Sequence, residues 1–207
     1  MKIVSPKIKN YIEYSIIDSI KDNDFSNKLY NTNIKENIII SDITFDSCIF
    51  NNINFSNIKL DNVDLIDVIF KDCDISNQLF DNKLLSRVVF DNCKLLGTSF
   101  VNSSLKDVSF SSSNFKYTNF FASSLNNIEI IDSDFSNSIF TESKIKNISL
   151  YNSTFNETEF IRTNLKDVDF STCNIERIVF DIDSLKGIKI NVLQASDIIS
   201  LFGVQIK

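Results

Sequence analysis

The chain has 207 residues, a formal net charge of -6 and a pI near 4.7, with no His, no Trp, 3 Gly and 1 Pro. That acidity argues against a direct nucleic-acid ligand, the lack of His removes the commonest acid–base and metal-binding side chain, and no apolar run is long enough for a spanning helix. With so little Gly and Pro, the turns are expected to come from Asn, Asp and Ser.

The amino terminus, Met1-Lys2-Ile3-Val4-Ser5-Pro6-Lys7, lacks the apolar run of a signal peptide, so a cytoplasmic location with no membrane contact is expected. Residues 1–44 are irregular: Ile20, Phe25 and Tyr30 keep a five-residue beat, Lys35 breaks it, and Ile38, Ile39 and Ile40 crowd it. This segment is predicted to form an amino-terminal cap with an imperfect first coil or two.

From Phe45 to Ile190 every fifth residue is Phe, Leu or Ile, thirty positions without a miss. Neither a helix nor a flat strand needs that period. Sorted in steps of twenty, the centres fall into columns, one running Leu65, Leu85, Leu105, Leu125, Ile145, Leu165, Leu185 and another Phe80, Phe100, Phe120, Phe140, Phe160, Phe180. The position two before the centre follows the same step, with Val68, Val88, Val108, Ile128, Ile148 and Val168 in one column and Cys73, Cys93, Ser113, Ser133, Ser153 and Cys173 in another. Residue i therefore lies under residue i+20, and the chain closes one coil of four five-residue sides every twenty residues. Each coil buries an apolar face only against its neighbour. Cys48, Cys73, Cys93 and Cys173 all occupy the small inward slot and are predicted to be buried free thiols. Without His or a CxxC motif, no metal or cofactor is expected.

Segments such as Ser104-Leu105-Lys106-Asp107-Val108-Ser109-Phe110 and Thr163-Asn164-Leu165-Lys166-Asp167-Val168-Asp169-Phe170 resemble the pentapeptide-repeat family. The resemblance implies an all-β fold, a right-handed quadrilateral parallel β-helix spanning 45–190, closed by a short carboxyl-terminal α-helix in 191–207.

In that last segment Asn191 is a plausible N-cap, and Leu193, Ala195, Ile198, Ile199 and Phe202 recur near helical spacing before Gly203. Leu193, Ile198, Ile199, Phe202, Val204 and Ile206 form the candidate dimer interface, because one short helix carries more apolar surface than a cap needs; a cap alone is the alternative. The tail, Leu185-Lys186-Gly187-Ile188-Lys189-Ile190 with Gln194-Ala195-Ser196 and Phe202-Gly203-Val204, resembles that of Qnr-type pentapeptide-repeat proteins. The stretches Lys94–Phe100 and Asn114–Phe120 are similar to Gram-positive members. The resemblance implies a homodimer joined at the carboxyl end, shaped like duplex DNA, that binds DNA gyrase or topoisomerase IV and lessens quinolone action. The chain departs from Gram-negative members in one respect: no loop interrupts the five-residue beat.

Charge is uneven around the coil. The side centred on Leu85 and Leu105 carries an outward column of Lys106, Lys146, Lys166 and Lys186, whereas the side centred on Phe70, Phe90 and Phe110 carries Asp72, Asp91, Glu129, Asp132 and Asp169 against Lys71 and Lys189. The Phe-column side holds Asp61, Asp81, Glu142, Glu159 and Asp181 against Lys59 and Arg162. Asp72, Asp91, Glu129, Asp132, Asp134 and Asp169 are the candidate partner-binding acids; the alternative is that they only solvate an outward face. Seven and a half coils span roughly 36 Å, over which duplex DNA carries about 20 charges, so any mimicry must use acidic patches rather than uniform charge. No nucleophile motif or phosphate loop is present, which disfavours an enzyme. A DNA-mimicking binder of gyrase or topoisomerase IV is the leading expectation, and a rigid scaffold for another protein is the alternative.

Overall fold

Residues 3–200 and 202–204 are described by a computed structural model, in which nine parallel strands form one continuous sheet wound into a quadrilateral β-helix. The ladder starts with β1 (Ile12–Glu13), β2 (Lys28–Tyr30), β3 (Ile38–Asp46) and β4 (Ile49–Asn51). It continues through the long β5 (Ile58–Lys71) into β6 (Leu84–Asp91), β7 (Ser104–Ser111), β8 (Ser124–Ile131) and β9 (Lys144–Tyr151). Leu65 pairs with Leu85, Val88 with Val108 and Phe110 with Ile130, so the step of twenty read from the sequence is the register of the sheet. A short helix, α1 (Ile16–Asp22), is N-capped by Ser15, whose side chain accepts from the Asp18 amide. α1 buries Ile16 and Ser19, and the Ser19 and Tyr30 hydroxyls hydrogen-bond at 2.9 Å. Ile34, half-buried against the core, lies one residue ahead of the exposed Lys35, which explains the lost beat there.

The four sides are numbered here in chain order from the Leu85 column: the first centred on Leu85, the second on Phe90, the third on Leu95, the fourth on Phe100. Side chains at the centres fill the axis. Phe50, Phe70, Phe90 and Phe110 stack with ring centroids 4.8, 5.1 and 5.6 Å apart. Phe115, Phe135 and Phe155 do so at 4.6 and 5.6 Å. The stacks meet edge to face, as in Phe110 on Phe115 at 4.7 Å, the geometry the ring quadrupole favours. All four cysteines are buried and free, as their inward slot requires.

Corners fall two residues after the centres, and most of them adopt positive φ. Among the described residues, eighteen of the twenty-seven non-glycine residues with positive φ are Asn or Asp, the side chains that tolerate the left-handed region best. That accounts for a coiled chain with almost no glycine. Tyr117, Ala122, Glu142 and Arg162 take the same conformation, so the ladder imposes it even on residues that resist it.

The two pairs of sides are built differently. On the third and fourth sides Asp74, Asn114, Asn119, Asp134 and Asn174 accept a hydrogen bond from the backbone amide two residues on, making Asx turns. On the first and second sides the position just before the centre holds residues such as Ser104, Ser124, Val89 and Ser109, and the backbone stays extended. The pattern changes at 164–171. Asn164 accepts from the Lys166 amide and Asp169 from the Ser171 amide, so turns replace strand on the first two sides as well.

A coil of one shape then lies on a coil of another. Among the described residues no backbone–backbone hydrogen bond joins β9 to residues 164–171, although the other two sides stay bonded there, with Phe155 N donating to Asn174 O at 2.7 Å and Phe160 N to Val179 O at 2.8 Å. Ile145, Ile148 and Leu150 are half-buried, against 1% exposure for Leu125, Ile128 and Ile130 one coil below. The apolar centres thus keep their spacing to Ile190, but the inward slot before Leu185 slips by one residue, with Ser184 buried and Asp183 exposed, and the hydrogen-bond ladder on the first two sides opens once.

At the carboxyl end the Asn191 side chain accepts from the Gln194 amide at 3.0 Å, and Gln194 Oε1 accepts from the Asn191 amide at 2.8 Å. A turn intervenes, and the helix, α2, covers Ala195–Ser200, shorter than the apolar spacing implies. No helix among the described residues is long and apolar enough to cross a membrane.

Candidate partner-binding surface

Corner residues form ladders along the rod because each lies directly over its equivalent twenty residues earlier. Asn92 Nδ2 donates to Asp72 Oδ1 at 2.5 Å, Asn152 Nδ2 to Asp132 Oδ1 at 2.6 Å, and Asn62 Nδ2 to Asp42 Oδ1 at 2.6 Å. Elsewhere arginine takes the donor's place, bidentate from Arg87 to Asp67 at 2.6 Å and at 2.5 Å from Arg177 to Glu157.

The sequence-predicted acids divide between two sides. Asp72, Asp91, Glu129, Asp132 and Asp169 belong to the second. Asp91 accepts from the Ser111 hydroxyl at 3.0 Å and Glu129 from that of Ser109 at 3.3 Å. Asp169 is exposed, and the hydroxyl and amide of Ser171 hold its carboxyl below the usual carboxylate range. Asp134 belongs to the third side, around the corner, and is paired with Lys116 at 3.1 Å. Burial pushes its carboxyl up, but the Ser136 hydroxyl and amide and the Lys116 ammonium outweigh this and leave it lowered.

The corner between these sides brings the two sets together. Asp72 and Asp74 flank Cys73, Asp132 and Asp134 flank Ser133, and with Asn92, Lys94 and Asn152 they line one open groove of about 650 Å³. Asp74 was missed as a site residue, although Asp-Cys-Asp at 72–74 and Asp-Ser-Asp at 132–134 repeat at sixty residues, three full coils. Asp74 is itself paired with Lys94 at 3.1 Å. Asp91, Glu129 and Asp169 lie outside the groove lining.

The chain that builds this surface matches the model of the family described as pentapeptide repeat region over residues 63–134, and that of pentapeptide repeats (8 copies) over 39–77 and 138–177. It belongs to the pentapeptide-repeat family. Among solved pentapeptide-repeat structures it is similar to a trypsin-treated form of QnrB1, a plasmid-mediated fluoroquinolone resistance protein, at 18% identity and a TM-score of 0.44, with 88% of this chain and 89% of that one covered. Full-length QnrB1 gives 17% identity and a TM-score of 0.37, covering 86% and 89%. HetL, a pentapeptide-repeat protein involved in heterocyst differentiation regulation from the cyanobacterium Nostoc sp. strain PCC 7120, gives 9% identity and a TM-score of 0.36, covering 84% and 92%. No curated protein matches in sequence. At these identities the likeness concerns the fold alone.

The second candidate surface is the carboxyl end of the repeat array. Leu193 is 85% exposed, Phe202 and Val204 52% each and Ile199 40%, with Val192 beside them at 89%. Ile198 instead packs against the core, and Ile206 lies outside the described residues. Gln194, absent from the predicted set, closes the coil: its buried Nε2 donates to Phe170 O at 2.8 Å and Cys173 O at 2.7 Å. Gln78 does the same for an earlier irregular turn, donating to Ile58 O at 2.7 Å and accepting from Leu60 N at 2.9 Å. Glutamine in the small inward slot is the signal that could have found Gln78; Gln194 lies one residue past that slot, which Leu193 holds in the sequence.

Proposed function

We propose that this pentapeptide-repeat protein is a binder of a type II topoisomerase, gyrase or topoisomerase IV, which it engages by presenting an acidic rod to the enzyme's DNA-binding surface. The observation that carries the reading is the groove between the second and third sides, where Asp72, Asp74, Asp132 and Asp134 line one edge of a narrow rigid rod. Three coils separate the two pairs, about 14 Å, a length over which duplex DNA carries about 8 phosphates. Four carboxylates reach half that number, and Lys94 and Lys116 each offset one of them. Shape therefore contributes more to the mimicry than charge density. The tail resemblance noted above points to the same partner class and to a homodimer, for which exposed Leu193, Ile199, Phe202 and Val204 supply apolar surface.

Supercoiling by gyrase from the same host, with and without a quinolone, tests the reading. Inhibition or drug protection at micromolar protein supports it, and loss of the effect in a D72N/D132N variant assigns it to the groove. No effect in either arm refutes it. The scaffold alternative draws on the sparse charge, and a pull-down that recovers other proteins but no topoisomerase subunit would favour it. The dimer has its own test: Ile199→Glu with Phe202→Glu is expected to give a folded monomer by light scattering, and a persisting dimer would refute this interface.

A further inference from the structure

Residues 3–10 take no part in any coil. They run lengthwise along the corner between the first and second sides, where two hydrogen bonds hold them: the Lys7 amide donates to Asp67 Oδ1 at 2.7 Å and the Val4 amide to Asp107 Oδ1 at 3.3 Å. Asp67 and Asp107 are two coils apart, about 10 Å, and three extended residues span about 10 Å. The strap and the corner are therefore commensurate, one amide in every three meeting one aspartate in every second coil.

The corner is shaped for such a segment. Asp67 and Asp107 are 5% and 4% exposed, whereas the corner aspartates Asp42, Asp72, Asp132 and Asp167 are all exposed. Both strapped carboxylates are held in place independently of the strap. Arg87 grips Asp67 through Nε and Nη2, each at 2.6 Å, and Asn127 Nδ2 donates to Asp107 Oδ1 at 3.1 Å. The bound segment brings positive charge, with Lys7 and Lys9 exposed, to an edge that also carries Asp46.

We propose that this corner is a peptide-binding edge whose resident occupant is the chain's own residues 3–10, and that an extended, lysine-bearing segment of a partner protein binds there in trans when the strap is displaced. Recognition is by backbone amides three residues apart, so it asks of the partner an extended conformation and a lysine rather than one sequence. The strap acts as a tethered competitor, present at millimolar effective concentration, and sets the threshold a partner must exceed. Neither the acidic groove nor the carboxyl end takes part, so this inference stands apart from the topoisomerase reading.

The test uses the full chain with Lys7→Pro, which removes the amide that meets Asp67 and changes an exposed residue outside the coils. A fluorescent peptide of sequence Ile3–Asn10 is titrated by anisotropy. Saturable binding to K7P at least tenfold tighter than to the unaltered protein is expected, with a further loss of at least fivefold when Asp107→Asn is added to K7P. A peptide with both lysines replaced by glutamine should bind more weakly. Equal binding to K7P and the unaltered protein, or indifference to D107N, overturns the proposal. A Val4→Pro variant, which frees the other anchor, must give the same ordering; if it does not, the edge is not the site.

Discussion

Phe135→Ala is the sharpest perturbation of the packed axis. Phe135 is fully buried, stacked on Phe115 at 4.6 Å and on Phe155 at 5.6 Å, with the edge of Phe110 at 5.8 Å. Removing a buried ring costs about 3–5 kcal/mol, more where the surroundings cannot collapse into the space. Here they cannot readily do so, because the rings above and below are fixed by the coil spacing, so the upper half of that range is expected. With a urea slope of about 2–3 kcal/mol per M, the midpoint should fall by roughly 1.5–2 M. Since each coil contacts only its neighbours, the lesion should also lower the cooperativity of the transition, with the two flanking halves melting separately. Equilibrium unfolding followed by circular dichroism and tyrosine fluorescence would show both effects, with Ile182→Ala, at an exposed position, as the control expected to shift the midpoint little. A shift below about 0.5 M for Phe135→Ala, or one equal to the control, would refute the stacked-column account.

Hydrogen exchange should find the opened ladder: amides in β9 and in 164–171 on the first and second sides are expected to exchange faster than their equivalents in β7 and β8, and equal protection would contradict the break. Replacing Asn164 and Asp169 with serine removes both Asx turns and should restore strand there, raising that protection; unchanged exchange would show that the turns do not cause the break. Cys48, with burial pushing its thiol up to about 11, and its three buried companions should resist a thiol reagent in the native state and all react on unfolding. At Asp67 burial raises the carboxyl, but Arg87 and the Lys7 amide lower it further, so its folded value lies below the ordinary 3.8. Its contribution to strap docking is therefore complete above that value and lost as pH falls through the lower folded one. The Lys7 amide should stay protected at pH 5 and lose protection only in strong acid; loss between pH 5 and 7 would refute the sign.

The centres from Phe45 to Ile190, the step of twenty and the inward cysteines were legible because each is a column, and a column repeats its signal at every coil. The positive-φ corners were legible as Asn and Asp for the same reason. What escaped was set by single residues. Asn164 and Asp169 look like any outward polar pair until their side chains are seen folded back on the Lys166 and Ser171 amides. Gln78 occurs where an inward column changes from Ile58 to Thr98, and Gln194 falls one residue off the five-residue beat, where no repeat announces it. The strap was invisible because nothing in Ile3–Asn10 has a period; its partners, Asp67 and Asp107, lie 60 and 103 residues away. Within the candidate groove, Asp74 went unseen because charge was counted by side, whereas the groove lies along an edge that two sides share.

A beam joined along only two of its four faces has a soft direction. At the opened ladder the backbone hydrogen bonds that tie the last coils to the rest of the rod run through the third and fourth sides, while the first and second are held by side-chain packing, so flexing is expected to be easiest about the edge the third and fourth sides share. The Arg177–Glu157 ion pair, at 2.5 Å, crosses the joint on that edge, and Glu157 N donating to Glu176 O at 3.0 Å keeps it closed. The resistance to bending is thus unequal around the axis: stiff toward the third and fourth sides, compliant toward the first and second. The carboxyl-terminal end, with its exposed Leu193 and Phe202, lies beyond that joint, so a change in its angle to the long section is expected to cost no unwinding of a coil.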